Sequence, residues 1–530
     1  MTGRLYFPEM TGQGGALFDF DGDGDLDVYL VQGSMLGGHD ASDAVFPWAG
    51  PAPPSDRLFR NDVEVRPDGS RTLRFTDVSG SSGIGAGAGY AMGVATGDYD
   101  GDGRVDLYLT AYGPNRLLRN LGGGRFEDVT ASAGVDDGRW STSATFFDYD
   151  RDGRLDLFVV NYVDYRVEHD VACFATSSRR DYCGPSSFPP QGDRLFRNVG
   201  DGRFENVTER ALGSHEAGAG LGVVASDLDG DGWVDLYVAN DGLPNHLWLG
   251  GPDGRFREEA LMAGVALSQQ GAAEASMGIA AGDFDADGDE DLFLTHLQGE
   301  TNTLYVNLSG GLFEDRTALS GLAAPSRPRT GFGTGWIDYD GDGWLDLLVL
   351  NGAVRLQESG LRQGNPYPLG QPNQLFRNLG DGRFAEVSDA AGEVFGLEEV
   401  SRGAAFGDVD DDGDLDVLVL NNAGPVRLLL DQRQDGHWLG LRLLEAQGQR
   451  DALGARAALL REGRPQLWRR ARSDGSFASA SDPRVLFGLG AAADVLAVRV
   501  VWPDGQVEVW DAPPVDAYTT LRQGTGRRVP

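Results

Sequence analysis

Seven times in its first 416 residues the chain repeats DxDxDGxxD and runs directly into an apolar strand. The copies begin at Asp19, Asp98, Asp148, Asp227, Asp283, Asp338 and Asp408. Positions 1, 3, 5 and 9 are Asp and position 6 is Gly in all seven. Four carboxylates held close together repel one another unless something positive sits between them. A repeat that keeps all four, seven times over, therefore implies a cation in each loop.

The loop chemistry names the cation. Hard divalent ions take six to eight oxygen ligands, and a short loop can bring alternate Asp side chains to one point if it curls tightly. In the first copy Asp19, Asp21 and Asp23 converge, Gly24 permits the turn because it lacks a Cβ, and Asp27 closes the shell. The same roles fall to Asp98, Asp100, Asp102 and Asp106, and to Asp148, Asp150, Asp152 and Asp156. They continue through Asp227, Asp229, Asp231 and Asp235, and Asp283, Asp285, Asp287 and Asp291. The last two sets are Asp338, Asp340, Asp342 and Asp346, and Asp408, Asp410, Asp412 and Asp416. Position 7 varies freely (Asp25, Arg104, Arg154, Trp233, Asp289, Trp344, Asp414), as expected where only its carbonyl faces the ion. All-oxygen ligation with no Cys or His nearby argues against zinc and copper, and a compact carboxylate cage favours Ca²⁺ over Mg²⁺. About seven structural Ca²⁺ are expected.

An EF-hand opens the same way but needs a Glu at position 12 and a helix after it. Here position 12 is Leu30, Leu109, Val159, Val238, Leu294, Val349 or Val419, inside a strand such as LDVYLVQ or VDLYLTA. Other segments keep register with the loop. A small-residue strand precedes it (AMGVATGDYD, GLGVVASDLD); RLFRN-like and RF-x-DVT-like strands follow. Units of four short strands with no evident helix read as β-propeller blades, the Gly/Ala-rich strand innermost where blades crowd the axis. The expected fold is all-β: a seven-bladed propeller over residues 1–432, a small all-β domain over 433–526 and a tail at 527–530. The GIGAGAG run at Gly83–Gly89 reads as blade linker and inner strand, because no βαβ context supports a nucleotide loop. Blade 7 lacks an RF-x-DVT strand. The stretch Arg4–Pro8 is expected to fill that place, with HWLGLRLL as competitor.

These loops and flanking strands resemble FG-GAP/VCBS repeats, the blades of integrin α-subunit propellers, which carry calcium in the loop between their first two strands. From His437 to about Gly524 the segments HWLGLRLL, DALGARAALL, SDPRVLFGLG and VVWPDGQVEVW resemble the ASPIC/UnbV domain. Both modules, in that order, are similar to the bacterial cartilage-acidic-protein-like family, without the EGF-like module of the vertebrate member. The resemblance also implies a disulfide between Cys173 and Cys183, a pair seen in this family, and hence an oxidising compartment.

Composition narrows the partners. The formal charge is −36 and all 45 basic residues are arginine. Seven doubly charged ions would leave the chain strongly acidic, so nucleic acid and anionic membranes are poor partners. No run is long enough to cross a membrane as a helix, so no membrane insertion is expected. Weak loop sites need extracellular calcium levels, which places the protein outside the cytoplasm or in a periplasm. The opening MTGRLYFPEM is not a signal peptide, which conflicts with that placement and implies a trimmed or misplaced start.

Loops joining second and third strands should share the face opposite the calcium loops. Three are long, at 33–56, 162–193 and 352–372, and long loops on a rigid scaffold are where binding concentrates. They carry Phe46, Trp48, Tyr162, Tyr165, Tyr182, Phe188 and Tyr367, types that anchor proteins or stack on sugars, or that pack within their own loops. The expected function is a binding, adhesion or scaffold module for a protein or glycan. The alternative is a calcium-dependent carbohydrate-active enzyme, of lyase or dehydratase type, with its site on this face. Such an enzyme needs a base or catalytic metal. The histidines His39, His169, His215, His246, His296 and His437 show no paired spacing, and no HExxH, GxSxG or CxxC occurs.

Overall fold

In the computed structural model all residues are described except 47–53, 67–70, 86–88, 176, 366, 434–435 and 530. Trp48 and the middle of the GIGAGAG run lie outside the described residues.

Seven antiparallel sheets follow one another along the chain, six of four strands and the last of three. Their first strands are Gly15–Phe18, Tyr90–Gly97, Ser141–Phe147, Gly220–Ser226, Ile279–Gly282, Gly331–Ile337 and Ser401–Gly407. Each packs against the next, and Ser401–Gly407 packs back on Gly15–Phe18, which closes the ring. The small residues are there because backbones meet. A Cβ on Gly93 would lie 2.5 Å from the Thr142 carbonyl oxygen and 2.8 Å from that of Ala478.

Two recurrent bonds explain the RLFRN and DVT motifs. The DVT hydroxyl accepts the N–H of the strand-three leucine: Thr130 from Leu117 at 2.8 Å, Thr208 from Leu195 at 3.0 Å, Thr317 from Leu304 at 2.9 Å. The Asn of RLFRN reaches into the preceding blade. Asn120 Nδ2 donates to Phe20 O (2.8 Å), Asn198 to Tyr99 O (2.8 Å), Asn378 to Phe284 O (2.9 Å), and Asn61 closes the ring on Val409 O (2.9 Å).

Three expectations need correction. Helix is not absent: one-turn helices such as Thr130–Ala133 and Thr208–Leu212 follow the fourth strands, too short to show a 3.6-residue apolar period. Neither candidate completes the seventh sheet, which ends at Arg427–Leu429. Arg4–Pro8 leads instead into a buried turn, Pro8–Thr11, and His437–Leu444 pairs with Val485–Gly490 and, in parallel, with Tyr518–Arg522. Nor is the end of the chain a loose tail, for Arg527–Arg528 add an edge strand to Val507–Asp511.

The C-terminal part has two sheets around Leu439, Leu441, Ala457, Phe487, Val498 and Trp502. Its segment 472–482 leaves this core and enters the axis of the ring. There Val94 and Ala478 bond backbone to backbone (3.1 Å), as do Ile279 and Ser476 (3.0 Å) and Leu17 and Ala480 (3.1 Å). Ser143 Oγ accepts from Ala478 N, Asp474 Oδ2 from Ala225 N, and Phe406 O from Asp482 N. Phe477 meets Phe332 edge-on at 5.0 Å. All seven sheets thus hold this one segment. Charge is compensated where the segment enters: buried Arg470, at the end of the strand before it, donates to Glu290 of the fifth repeat (3.1 Å) and to Asp474 (3.3 Å). The other mouth of the axis is filled by the first residues of the chain. Phe7 and Met10 sit in an apolar cluster with Leu36, Tyr162, Tyr182, Ala353 and Leu369 of the three long loops. Arg402, fully buried, donates to Met10 O (3.0 Å) and Gly352 O (2.9 Å) and stacks on Phe332.

Candidate metal centres and the long-loop face

The nine-residue loops share one hydrogen-bonding scheme. In each, the Gly at position 6 donates to the Asp at position 1, from Gly24 to Asp19 at 3.1 Å through Gly413 to Asp408 at 2.9 Å. The position-7 N–H donates to the position-5 carboxylate, as Arg104 N does to Asp102 and Trp344 N to Asp342. The last Asp accepts two backbone N–H groups, one from position 2 and one from the end of strand three. Asp106 takes Tyr99 N (3.3 Å) and Asn120 N (2.7 Å); Asp346 takes Tyr339 N (3.1 Å) and Asn378 N (2.7 Å). This curl is possible because positions 4 and 6 are both left-handed, as at Gly101 (φ 74°) and Gly103 (φ 87°). The requirement at position 4 was not evident from sequence, where Arg151, Ala286 and Asp411 stand among glycines.

The scheme aims carboxylates at a common point. One oxygen each from Asp19, Asp21 and Asp27 lies within 4.8 Å of the others, and so it is for Asp98, Asp100 and Asp106, Asp148, Asp150 and Asp156, Asp227, Asp229 and Asp235, and Asp283, Asp285 and Asp291. Oδ1 of Asp150, Asp285, Asp338 and Asp340 is buried and has no hydrogen-bond partner among the described residues, so it is free to accept a ligand. With no cation present, burial, opposed in part by the backbone N–H groups and reinforced by the neighbouring carboxylates, pushes Asp27, Asp235 and Asp346 up to about 8. Asp156 rises for the same reasons to about 9. These donors fit a hard cation bound by oxygen. At position 7 Arg104 and Arg154 each donate through Nε to the carbonyl of Asn120 or Asn198 and through Nη2 to their own loop's position-5 carboxylate, Asp102 or Asp152. Asp414 differs: its side chain is buried against Asp412.

On the opposite face the three long loops do come together, but mostly around the chain's own N-terminus. Phe7 lies 5.2 Å from Trp140, 5.5 Å from Tyr162, 6.0 Å from Tyr165 and 5.5 Å from Phe188, ring to ring. Tyr162, Tyr165 and Tyr182 are buried, with Tyr162 donating to Asp241 and Tyr165 to Asp170. These residues, read as ligand-face candidates, serve as packing because Phe7 fills the space between them. Phe46 and Tyr367 remain half-buried, their rings 5.5 Å apart across loops one and six. An open groove of about 590 Å³ on this face is lined by Tyr6, Tyr90 and Tyr112 with Leu36 and Glu168, and Phe46 lines a second groove that shares Ser34, Met35 and Tyr90 with it. The tyrosines of the first come from outside the long loops, so loop length could not reveal them. Cys173 and Cys183 form a disulfide within the second of these loops.

The histidines offer one relay-like arrangement. His296 Nε2 lies 3.5 Å from Ser276 Oγ and Nδ1 lies 3.3 Å from Glu274. Ser276 and His296 are both only 1% exposed, so no substrate reaches the hydroxyl.

A family model described as FG-GAP-like repeat matches residues 98–159, 178–238, 227–294, 283–349 and 364–419, more than half of the chain. The chain belongs to the FG-GAP-like repeat family. The ASPIC and UnbV model matches residues 445–528. Cartilage acidic protein 1 of Homo sapiens is 24% identical over 94% of this chain and 70% of its own length. The Mus musculus protein of that name is 24% identical over 66% of this chain, which spans about half of it (49%). Among solved structures, an Agrocybe aegerita lectin described as recognising non-reducing terminal N-acetylglucosamine aligns over 71% of this chain and 88% of its own, at 15% identity and a TM-score of 0.39. Among the described residues no helix is long and apolar enough to cross a membrane.

Proposed function

We propose that this FG-GAP protein is an exported calcium-binding propeller that acts as a binding or scaffold module, with about seven structural Ca²⁺ ions. One observation carries the reading: carboxylates of positions 1, 3 and 9 converge within 4.8 Å and leave buried oxygens without partners. The Cys173–Cys183 bridge supports an oxidising compartment, where calcium is plentiful. The groove lined by Tyr6, Tyr90 and Tyr112, with the adjoining one that Phe46 lines, supports a protein or glycan partner on the long-loop face.

The test is calorimetric titration of EGTA-stripped protein with Ca²⁺, with thermal melts alongside. For sites of Kd about 0.1 mM in millimolar calcium, each ion adds about 1.4 kcal/mol. A stoichiometry near seven and a large upward shift in Tm are expected. No bound ion and an unmoved melt would overturn the reading.

A further inference from the structure

The C-terminal part lies on the face that carries the aspartate loops, and it treats two of them differently from the rest. In repeats one to five the position-1 carboxylate Oδ2 accepts from its own loop's glycine alone, among the described residues: Gly24, Gly103, Gly153, Gly232 and Gly288. In repeat six, Asp338 Oδ2 accepts from Gly343 N at 3.0 Å and also from Gly488 N of the C-terminal part at 3.1 Å. In repeat seven, Asp408 Oδ2 accepts from Gly413 N at 2.9 Å and also from the Tyr518 hydroxyl at 3.0 Å. Each carboxylate therefore has its second oxygen held from outside its repeat. On Asp338 the remaining oxygen is buried and unpartnered.

The outside donors are themselves rigidly placed. Gly488 lies within the strand Val485–Gly490. Tyr518 is gripped by Arg484, 4.4 Å above its ring, and by Trp438, edge-on at 5.2 Å. Arg484 in turn donates to Asp408 O (2.9 Å) and Asp411 (2.7 Å), and Arg469 to Gly343 O (3.0 Å). Fit is tight enough to exclude a methyl group: a Cβ on Gly488 would sit 2.2 Å from Asp338 Oδ2.

We propose that Tyr518 and the Gly488 N–H are positioning donors for the cations of repeats seven and six, so that these two sites are completed by the C-terminal part and their occupancy is coupled to its docking. The inference rests on the calcium reading above. A donor that fixes the distal oxygen of a ligating carboxylate sets the direction of the other oxygen, and losing such an outer-shell partner typically costs 10–100-fold in metal affinity. By linkage, whatever affinity the docked part lends to those two sites the ions return to docking.

The experiment is Ca²⁺ titration by calorimetry of the EGTA-stripped full chain, comparing wild type with Tyr518→Phe and Gly488→Ala. Tyr518→Phe keeps the ring and its stacking but removes the hydroxyl. It is expected to weaken one site of about seven by at least 10-fold and leave the others at wild-type affinity. Gly488→Ala should do the same to a different single site. Hydrogen exchange of wild type with and without Ca²⁺ supplies a readout independent of both variants: amides of 485–490 and 516–522 should gain protection with the metal. Variants that titrate like wild type, or amides indifferent to Ca²⁺, would overturn the coupling while leaving calcium binding intact. A wild type that binds no Ca²⁺ defeats the calcium reading itself, and this inference with it.

Discussion

Two residue types carry more of this architecture than their chemistry suggests. The buried Asn of RLFRN gives its backbone N–H to the loop of its own blade and its side-chain amide to the blade before. Asn120→Ala leaves Phe20 O and Val105 O without that donor in a buried site. The expected cost is about 1–3 kcal/mol, seen as a lower urea midpoint at unchanged slope. At position 4 of the loops the opposite change should help. Ala286 holds φ 62°, which costs a residue with a Cβ roughly 1–2 kcal/mol. Ala286→Gly removes that strain but frees the unfolded chain, so a net gain of about 0.5–1 kcal/mol is expected in the same assay.

At the level of the loop, the metal-free carboxylates set a pH dependence of unusual sign. Burial raises Asp27, Asp235, Asp346 and Asp416 to about 8, against 3.8 when unfolded. Between these values the folded chain binds protons that the unfolded chain does not. The stability they contribute is full below about pH 4 and is lost as pH rises through about 8. In EGTA the Tm should therefore fall from pH 5 to pH 9. A bound divalent cation replaces those protons, so saturating Ca²⁺ should flatten or reverse the slope, and half-saturation should move to lower Ca²⁺ as pH rises. A Tm in EGTA that climbs over this range would contradict the burial of these groups.

For the molecule as a whole, propeller and C-terminal part are built into one another. The segment 472–482 satisfies backbone groups of separate sheets, and the first eleven residues fill the opposite mouth. One cooperative melt is expected for the full chain, where a docked but independent domain would show two. Phe477, fully buried against Phe332, should be among the costliest single truncations. Phe477→Ala is expected to remove about 3–5 kcal/mol and to lower the transition of both parts together. A separate, unshifted propeller transition would show that the segment is dispensable.

How much of this could be read from the chain alone follows from the range of each interaction. The aspartate loop closes within nine residues: Gly24 answers Asp19 and Asp25 answers Asp23, so spacing alone reveals the cage. Strand order within a sheet was legible because each strand of a repeat pairs with the next one of that repeat in sequence. The Asn of RLFRN was visible as a recurrence, but its partner lies in another blade, about a hundred residues off. The aromatic loops left binding and packing both open, because what stacks on Tyr162 and Phe188 is Phe7, which lies far from them in sequence. Likewise nothing in the small, polar run SDGSFASASDP places it on the axis of the ring. It is hydrogen-bonded to six strands and its Phe477 is packed by a seventh, none of them near it in sequence. Local periodicity determined the fold class and the clustering of carboxylates in each loop; which segments fill the axis, and which loops share a carboxylate with the C-terminal part, was decided only when the ring closed and brought distant backbones to within hydrogen-bonding distance.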